Sequence, residues 1–226
     1  MRVLVTSGGT SEKIDEIRIL TNISSGLLGK EIADAFLKLD YPVTYVCGKT
    51  SEAPWPEEVG FTYRYTKPLT VIRVDDVTSL MRAMEQEVPH HDVIIHAMAV
   101  SDFGFKRENA TKLKSSDPEA FIEYLRQNIV TNPKVISFIK QWNPLCRLVG
   151  FKFEVGKTFQ ELVDTALVSL TSNQCEIVVA NDKLEMEREK EHIAYLISKD
   201  SVIKATGKLD IAQKLVEYFS KQEKRN

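Results

Sequence analysis

Short, continuously apolar runs recur along the chain, separated by stretches whose apolar residues fall at helical spacing. The runs are Met1–Thr6 (MRVLVT), Val43–Cys47, Leu69–Val74, Asp92–Ala99 (DVIIHAMA), Cys146–Phe151 (CRLVGF) and Cys175–Ala180 (CEIVVA). Between them, Leu28, Ile32, Ala35, Phe36 and Leu39 share one face of a helix over 25–40. Val77, Leu80, Met81, Met84 and Val88 share one face of a second helix, and Phe159, Leu162, Val163, Ala166 and Leu170 one face of a third over 158–172. A strand that is apolar on both sides needs cover on both faces, and helices alternating with such strands supply it. The pattern therefore predicts an α/β fold with a Rossmann-like, doubly wound, mainly parallel sheet. After Asn181 it changes: His192–Ser198 (HIAYLIS), a Lys199-Asp200 turn and Ser201–Thr206 (SVIKAT) predict an antiparallel C-terminal extension, closed by a helix over 208–221. Asn132-Pro133 reads as N-cap and first residue of the helix containing Val135, Ile136, Ile139 and Trp142. Glu119–Val130 (EAFIEYLRQNIV) fits helix or strand. No repeat or linker interrupts the pattern, so 1–226 reads as a single domain.

The chain's 226 residues are enough for one large α/β core. A net charge of −2 and a pI near 6.1 argue against general attraction to nucleic acid or to an anionic membrane. No apolar run approaches the roughly 18 residues a membrane span needs. The chain opens on a strand rather than a signal peptide, so a cytoplasmic protein is expected. Cys47, Cys146 and Cys175 are odd in number and lie within apolar runs, which suits buried free thiols. His90, His91, His96 and His192 have no metal-ligand spacing to one another or to a cysteine, and His96 reads as a packed or hydrogen-bonding residue.

In a doubly wound sheet ligands bind beyond the carboxyl ends of the strands. The first strand ends in a Gly8-Gly9-Thr10 turn, suited to a phosphate. Yet residues 10–24 separate the glycines from the next helix, where such connections usually take about two to six residues. The second strand ends Cys47-Gly48-Lys49, without the acid of a dinucleotide fingerprint. Gly150–Thr158 (GFKFEVGKT) has five residues between its glycines where a phosphate-binding P-loop has four. Three other stretches fit a ligand site. Asn22–Gly29 (NISSGLLG) puts Ser24, Ser25 and Gly26 at a helix N-terminus, where free N–H groups attract an anion, although the serines also suit plain capping. Ala99–Phe103 (AVSDF) puts Asp102 just past the fourth strand. Thr111–Ser116 (TKLKSS) offers Lys112 and Lys114 to a phosphate chain, or reads as a solvated loop. The insertion at 10–24, which carries Arg18 and Asn22, would let one crevice hold two phosphorylated ligands.

Taken in order, these motifs resemble the phosphopantothenate–cysteine ligase family along nearly the whole chain. The carriers are SGGTSEKIDEIRILTNISSGLLG, AMAVSDF, KLK, TNPKVI, LVGFKFE and IVVAND. The resemblance implies the stand-alone bacterial form and a homodimer. The implied reaction joins 4′-phosphopantothenate and L-cysteine in two steps. A nucleoside triphosphate, CTP or ATP, first activates the carboxylate as an acyl-nucleotidylate with loss of pyrophosphate, Mg²⁺ assisting; the cysteine amine then attacks that anhydride. Carried over residue by residue, Asn22, Arg18 and Lys112 become the catalytic group. Nucleotide contacts fall to the Gly8-Gly9-Thr10 turn, Ser24-Ser25-Gly26, His96, Ala97, Met98, Asp102, Lys114, Pro133, Lys134, Val135, Ile136 and Phe151, with no metal ligands assigned. Ser115 stands where the family has a final lysine, Ser169 and Asn173 stand where it has two more, and GFKFE is closer to eukaryotic relatives that use ATP. These departures bear on CTP against ATP. A nucleotide-dependent reductase and a non-catalytic nucleotide sensor are the other readings.

Overall fold

The apolar run at the N-terminus forms β1 (Val3–Ser7), buried along its whole length. In the computed structural model, which describes residues 1–54, 68–106, 113 and 116–223, β1 is followed by a hairpin, β2 (Ser11–Lys13) and β3 (Ile19–Thr21), and then by α1 (Leu27–Leu37). β4 (Val43–Gly48), β5 (Leu69–Val74), α2 (Val77–Glu87) and β6 (Val93–His96) complete the first half. The second half contains β7 (Phe103–Phe105), α3 (Pro118–Asn128), β8 (Ile129–Thr131), α4 (Ile136–Trp142), β9 (Arg147–Glu154), α5 (Phe159–Ser172) and β10 (Ile177–Asp182). α6 (Lys183–Glu189), β11 (Ile193–Ile197), β12 (Val202–Thr206) and α7 (Lys208–Glu223) follow.

The main sheet runs β5-β4-β1-β6-β9-β10-β11-β12. The first six of these strands pair in parallel and the last two antiparallel, as the sequence pattern predicts. Chain order reverses direction between β1 and β6, so the ligand crevice of a doubly wound sheet lies between those two strand ends. Alternation along the strands divides the core in two. Val3, Val5, Tyr45, Ile95, Val149 and Val179 lie under α1 and α7, against Ile32, Phe36, Leu215 and Phe219. Leu4, Val46, Ile94, Leu148 and Val178 lie under α2, α4 and α5, against Leu80, Met84, Ile139 and Leu162. Cys47, Cys146 and Cys175 are buried free thiols. Among the described residues no helix is long and apolar enough to cross a membrane.

Local structure departs from the sequence pattern at three places. α1 begins at Leu27 because Gly26 takes a left-handed conformation (φ 81°) immediately before it. Asn132 and Pro133 do not open α4, which starts at Ile136. The Asn132 amide instead donates to Ser101 O at 3.1 Å, and its backbone N–H to Asp102 O at 2.9 Å, tying β8 to the loop after β6. Glu119–Val130 divides: Asp117 caps α3 by accepting from Ala120 N, and β-branched Ile129 to Thr131 then pair with β7.

The turn after β1 is fixed by close approach. Gly8 has φ +77°, and a Cβ there would lie 1.6 Å from Ser51 Oγ. Gly156 has a comparable φ of +75°, but its nearest neighbour would be 3.5 Å away. Gly8→Ala is therefore expected to lose more stability than Gly156→Ala, because the first adds a collision to the roughly 1–3 kcal/mol of backbone strain that both incur. Equal shifts in thermal midpoint would contradict this.

Candidate active site

The crevice is built by zipping the loops after β1 and β6 together. Ala97 N donates to Thr6 O (3.2 Å), Met98 N to Thr6 Oγ1 (3.2 Å), Ala99 N to Gly8 O (2.7 Å) and Ser101 N to Thr10 Oγ1 (2.9 Å). His96 is buried and pairs through Nδ1 with Thr6 Oγ1 at 2.9 Å. Burial lowers its pKa to about 4, so the ring is neutral at physiological pH. The N–H groups of Ala97 and Met98 and the His96 ring thus shape the crevice floor.

Asn22 lies over the glycine turn. Its carbonyl oxygen would stand 2.8 Å from a Cβ at Gly9, and its Nδ2 donates to Val100 O at 3.1 Å. That nitrogen carries two protons, and one remains to meet a ligand oxygen. The start of α1 adjoins the same turn: Ser7 Oγ donates to Gly26 O at 2.8 Å, and a Cβ on Gly29 would lie 2.2 Å from Ser7 Oγ. Gly26 offers no side-chain cap, while Ser25 Oγ accepts from Leu27 N at 3.4 Å. Exposed hydroxyls of Ser24 and Ser25 at an α-helix N-terminus are suited to an anion.

The insertion at 10–24 is an ordered strap. Glu12 is buried and accepts from Val77 N at the start of α2, and Ser11 N donates to Asp75 O. At the hairpin turn, Asp15 Oδ1 accepts from Ile17 N (2.9 Å) and Arg18 N (2.7 Å), while Oδ2 accepts from the Arg18 guanidinium and from Leu113 N (3.2 Å). Burial alone would raise the Asp15 pKa, but the N–H groups of Ile17, Leu113 and Arg18 and the Arg18 side chain bring it down to about 2. Arg18 Nη1 also donates to Leu113 O at 3.2 Å, and the guanidinium sits 5.3 Å from the centre of the Phe121 ring. Lys112 and Lys114 lie outside the described residues.

Asp102 and Lys134 form an exposed ion pair beside the crevice. Val135 is buried and Ile136 packs near Gly150, where a Cβ would be 3.2 Å from Ile136 Cδ1; both belong to the α2/α4/α5 side of the sheet, as does Met98. Phe151, which the sequence grouped with them, packs on the α1/α7 side. Alternation along β9 makes this unavoidable. A cavity of about 810 Å³ lies by the start of α1, lined among others by Leu27, Phe153, Lys183, Lys190, His192 and Lys208. His192 Nε2 is buried without a hydrogen-bond partner among the described residues. Burial, reinforced by Lys208, lowers its pKa to about 4. Leu27 and Phe153 fall within the motifs NISSGLLG and LVGFKFE, whereas Lys183, Lys190, His192 and Lys208 lie outside them. Their signal is topological: Lys183 follows the carboxyl end of parallel β10, and His192 precedes antiparallel β11, so both fall at the ligand end of the sheet. Among the described residues no group of three or more His, Cys, Asp or Glu side chains gathers as a metal site.

The family described as the DNA/pantothenate metabolism flavoprotein C-terminal domain matches residues 1–222. The coenzyme A biosynthesis bifunctional protein CoaBC of Thermococcus kodakarensis is 33% identical over 224 residues, 97% of this chain and 51% of that protein. The CoaBC protein of Methanocaldococcus jannaschii is 30% identical over 222 residues, 97% of this chain and 50% of that one. The chain thus spans about half the length of these curated relatives. Among solved structures, the DNA/pantothenate metabolism flavoprotein from Streptococcus pneumoniae superposes with a TM-score of 0.83 at 31% identity, covering 98% of this chain and 99% of that one. A Cab2 variant complexed with phosphopantothenate-cysteine shares the fold, with a TM-score of 0.71 at 16% identity over 97% of this chain and 86% of that one.

Proposed function

The chain belongs to the DNA/pantothenate metabolism flavoprotein C-terminal domain family, and from that premise we propose that it is a phosphopantothenate–cysteine ligase of coenzyme A biosynthesis, acting as a single domain. The observation that carries this reading is the convergence at the β1/β6 switch point of a glycine turn, a helix N-terminus whose Gly26 cap has no side chain, and Asn22 between them. Two anion-attracting points bridged by a neutral amide fit an acyl-nucleotidylate, whose acyl carbonyl lies between the 4′-phosphate of the pantothenate part and the α-phosphate of the nucleotide, to which it is bonded through oxygen.

In this reading the nucleotide lies over Met98, Val135 and Ile136, with the Asp102 carboxylate accepting from the exocyclic amine that cytosine and adenine both carry. Phe151 goes instead with phosphopantothenate, on the α1/α7 side. The cavity by Leu27 takes that substrate, its Lys183, Lys190 and Lys208 suited to the phosphate and Leu27 and Phe153 to the aliphatic chain. A magnesium ion would enter on the triphosphate, held largely by phosphate oxygens and water, and would neutralise charge as pyrophosphate leaves. CTP is the favoured nucleotide. Ser169 and Asn173, in place of two lysines, leave ATP as the competitor.

The reading includes a homodimer in the cytoplasm. Ile17, Ile19, Ile23, Phe103 and Ile129 are exposed apolar side chains on or beside the β2–β3 hairpin and the adjoining β7–β8 pair, a surface suited to a second copy. The test is a reaction without cysteine. Phosphopantothenate, Mg²⁺ and CTP should yield, after acid quench, the acyl-nucleotidylate mass and one pyrophosphate per site, with ATP yielding it more slowly. An acyl phosphate with nucleoside diphosphate would contradict the proposal.

A further inference from the structure

A carboxylate with no side-chain exposure links two segments nearly a hundred residues apart. The two Asp15 oxygens divide their work. Oδ1 closes the hairpin turn through Ile17 N and Arg18 N, whereas Oδ2 faces the Arg18 guanidinium and Leu113 N. Arg18 then returns to Leu113 O, so both main-chain polar groups of Leu113 are held by one ion pair. Phe121 of α3 stacks beneath the guanidinium, and Tyr124 of the same helix donates to Ile14 O at 2.9 Å, so the clamp is braced from a third element. Leu113 is the residue between Lys112 and Lys114. The clamp grips the main chain of Leu113, and the Asp15 charge is matched by Arg18.

We propose that Asp15 is a positioning residue for the activation step: with Arg18 it fixes the main chain at Leu113, the residue between the two lysines that the ligase reading assigns to the nucleotide phosphates. This rests on the ligase reading for what the lysines do, but the clamp can be tested apart from it. A lysine acts on developing charge only if its location is set before the reaction, because reorganising a loose segment would cancel much of the electrostatic gain.

Asp15→Asn is the discriminating variant. The remaining amide oxygen can keep the turn bonds to Ile17 and Arg18, while the amide nitrogen, a donor, replaces the oxygen that faces two donors. Hydrogen exchange on the full chain should show the Leu113 amide protected in the wild type and exchanging at least tenfold faster in Asp15→Asn, with the Ile17 and Arg18 amides unchanged. Equal exchange at Leu113 in the two proteins overturns the clamp whatever the reaction is. In the pyrophosphate assay, Asp15→Asn should lower the rate about tenfold or more in the wild-type background and less than twofold in Lys112→Ala, since a positioning residue has nothing left to position. Effects that multiply independently would overturn the positioning role. Absence of pyrophosphate from the wild type would overturn the ligase reading together with the kinetic part, leaving the exchange result to decide the clamp.

Discussion

Lys112→Ala is expected to slow pyrophosphate release by about 10²–10³ while leaving the thermal midpoint within a degree or two of wild type. Nucleotidyl transfer asks for little covalent help from the protein. Its barrier lies in charge that grows on the departing pyrophosphate, and a fixed cation lowers it more in a crevice than in water. The chain next to Lys112 is anchored through Leu113 to Asp15 and Arg18, which is the kind of support such a cation requires. Lys112→Arg should recover only part of the rate, because the planar guanidinium keeps the charge but not its position. Wild-type formation of the acyl-nucleotidylate by Lys112→Ala, measured by mass spectrometry after quench, would remove the residue from the mechanism.

Asn22→Asp should separate the two half-reactions. The wild-type amide spends one Nδ2 proton on Val100 O and has another for the acyl carbonyl. A carboxylate in its place would repel both that carbonyl and the neighbouring phosphates. The expected phenotype is a single burst of pyrophosphate, accumulation of bound acyl-nucleotidylate, and cysteine-dependent turnover down on the order of 10²-fold or more. Since Asn22 also braces the loop after β6, Asn22→Ser is a useful companion, losing the second contact while avoiding the added charge. If Asn22→Asp made product at the wild-type rate, or formed no intermediate, Asn22 would not serve the acyl-transfer step. A residue that merely holds the turn would cost about 1 kcal/mol in stability and leave both half-reactions intact.

The sheet was legible because its signal is local and redundant. Runs such as DVIIHAMA and CEIVVA are apolar on both faces, and the intervening helices carry complete stripes, so several residues report each element. The hairpin at 10–24 was not, because what orders it lies elsewhere in the chain. Glu12 finds its partner at Val77 and Asp15 finds one at Leu113, and no local spacing announces either. Asn132-Pro133 carried a sound helix-start signal that lost to a tertiary bond, Asn132 to Ser101 O. Glu119–Val130 was ambiguous for a physical reason: a 3.6-residue period gives way to strand pairing within the one segment. The glycine turn, Asn22, the SSG helix start and Asp102 were each legible as motifs, and the structure sets them beside the loops after β1 and β6; the pairing of Asp102 with Lys134 was not legible. A motif shows which residues travel together, whereas the alternation of Val149, Gly150 and Phe151 along β9 decides which face each occupies, and it puts Phe151 on the α1/α7 side.

The central claim is that this chain forms an amide through a nucleotidylate, and one balanced assay tests it most directly. The protein is mixed with 4′-phosphopantothenate, L-cysteine, Mg²⁺ and CTP, in parallel with ATP, each component being omitted in turn, and pyrophosphate, nucleotide and acyl products are measured together. The account predicts pyrophosphate, nucleoside monophosphate and 4′-phosphopantothenoyl-L-cysteine in equal amounts, and sustained turnover only when all components are present. Orthophosphate with nucleoside diphosphate, or no coupled product with either nucleotide, would contradict it.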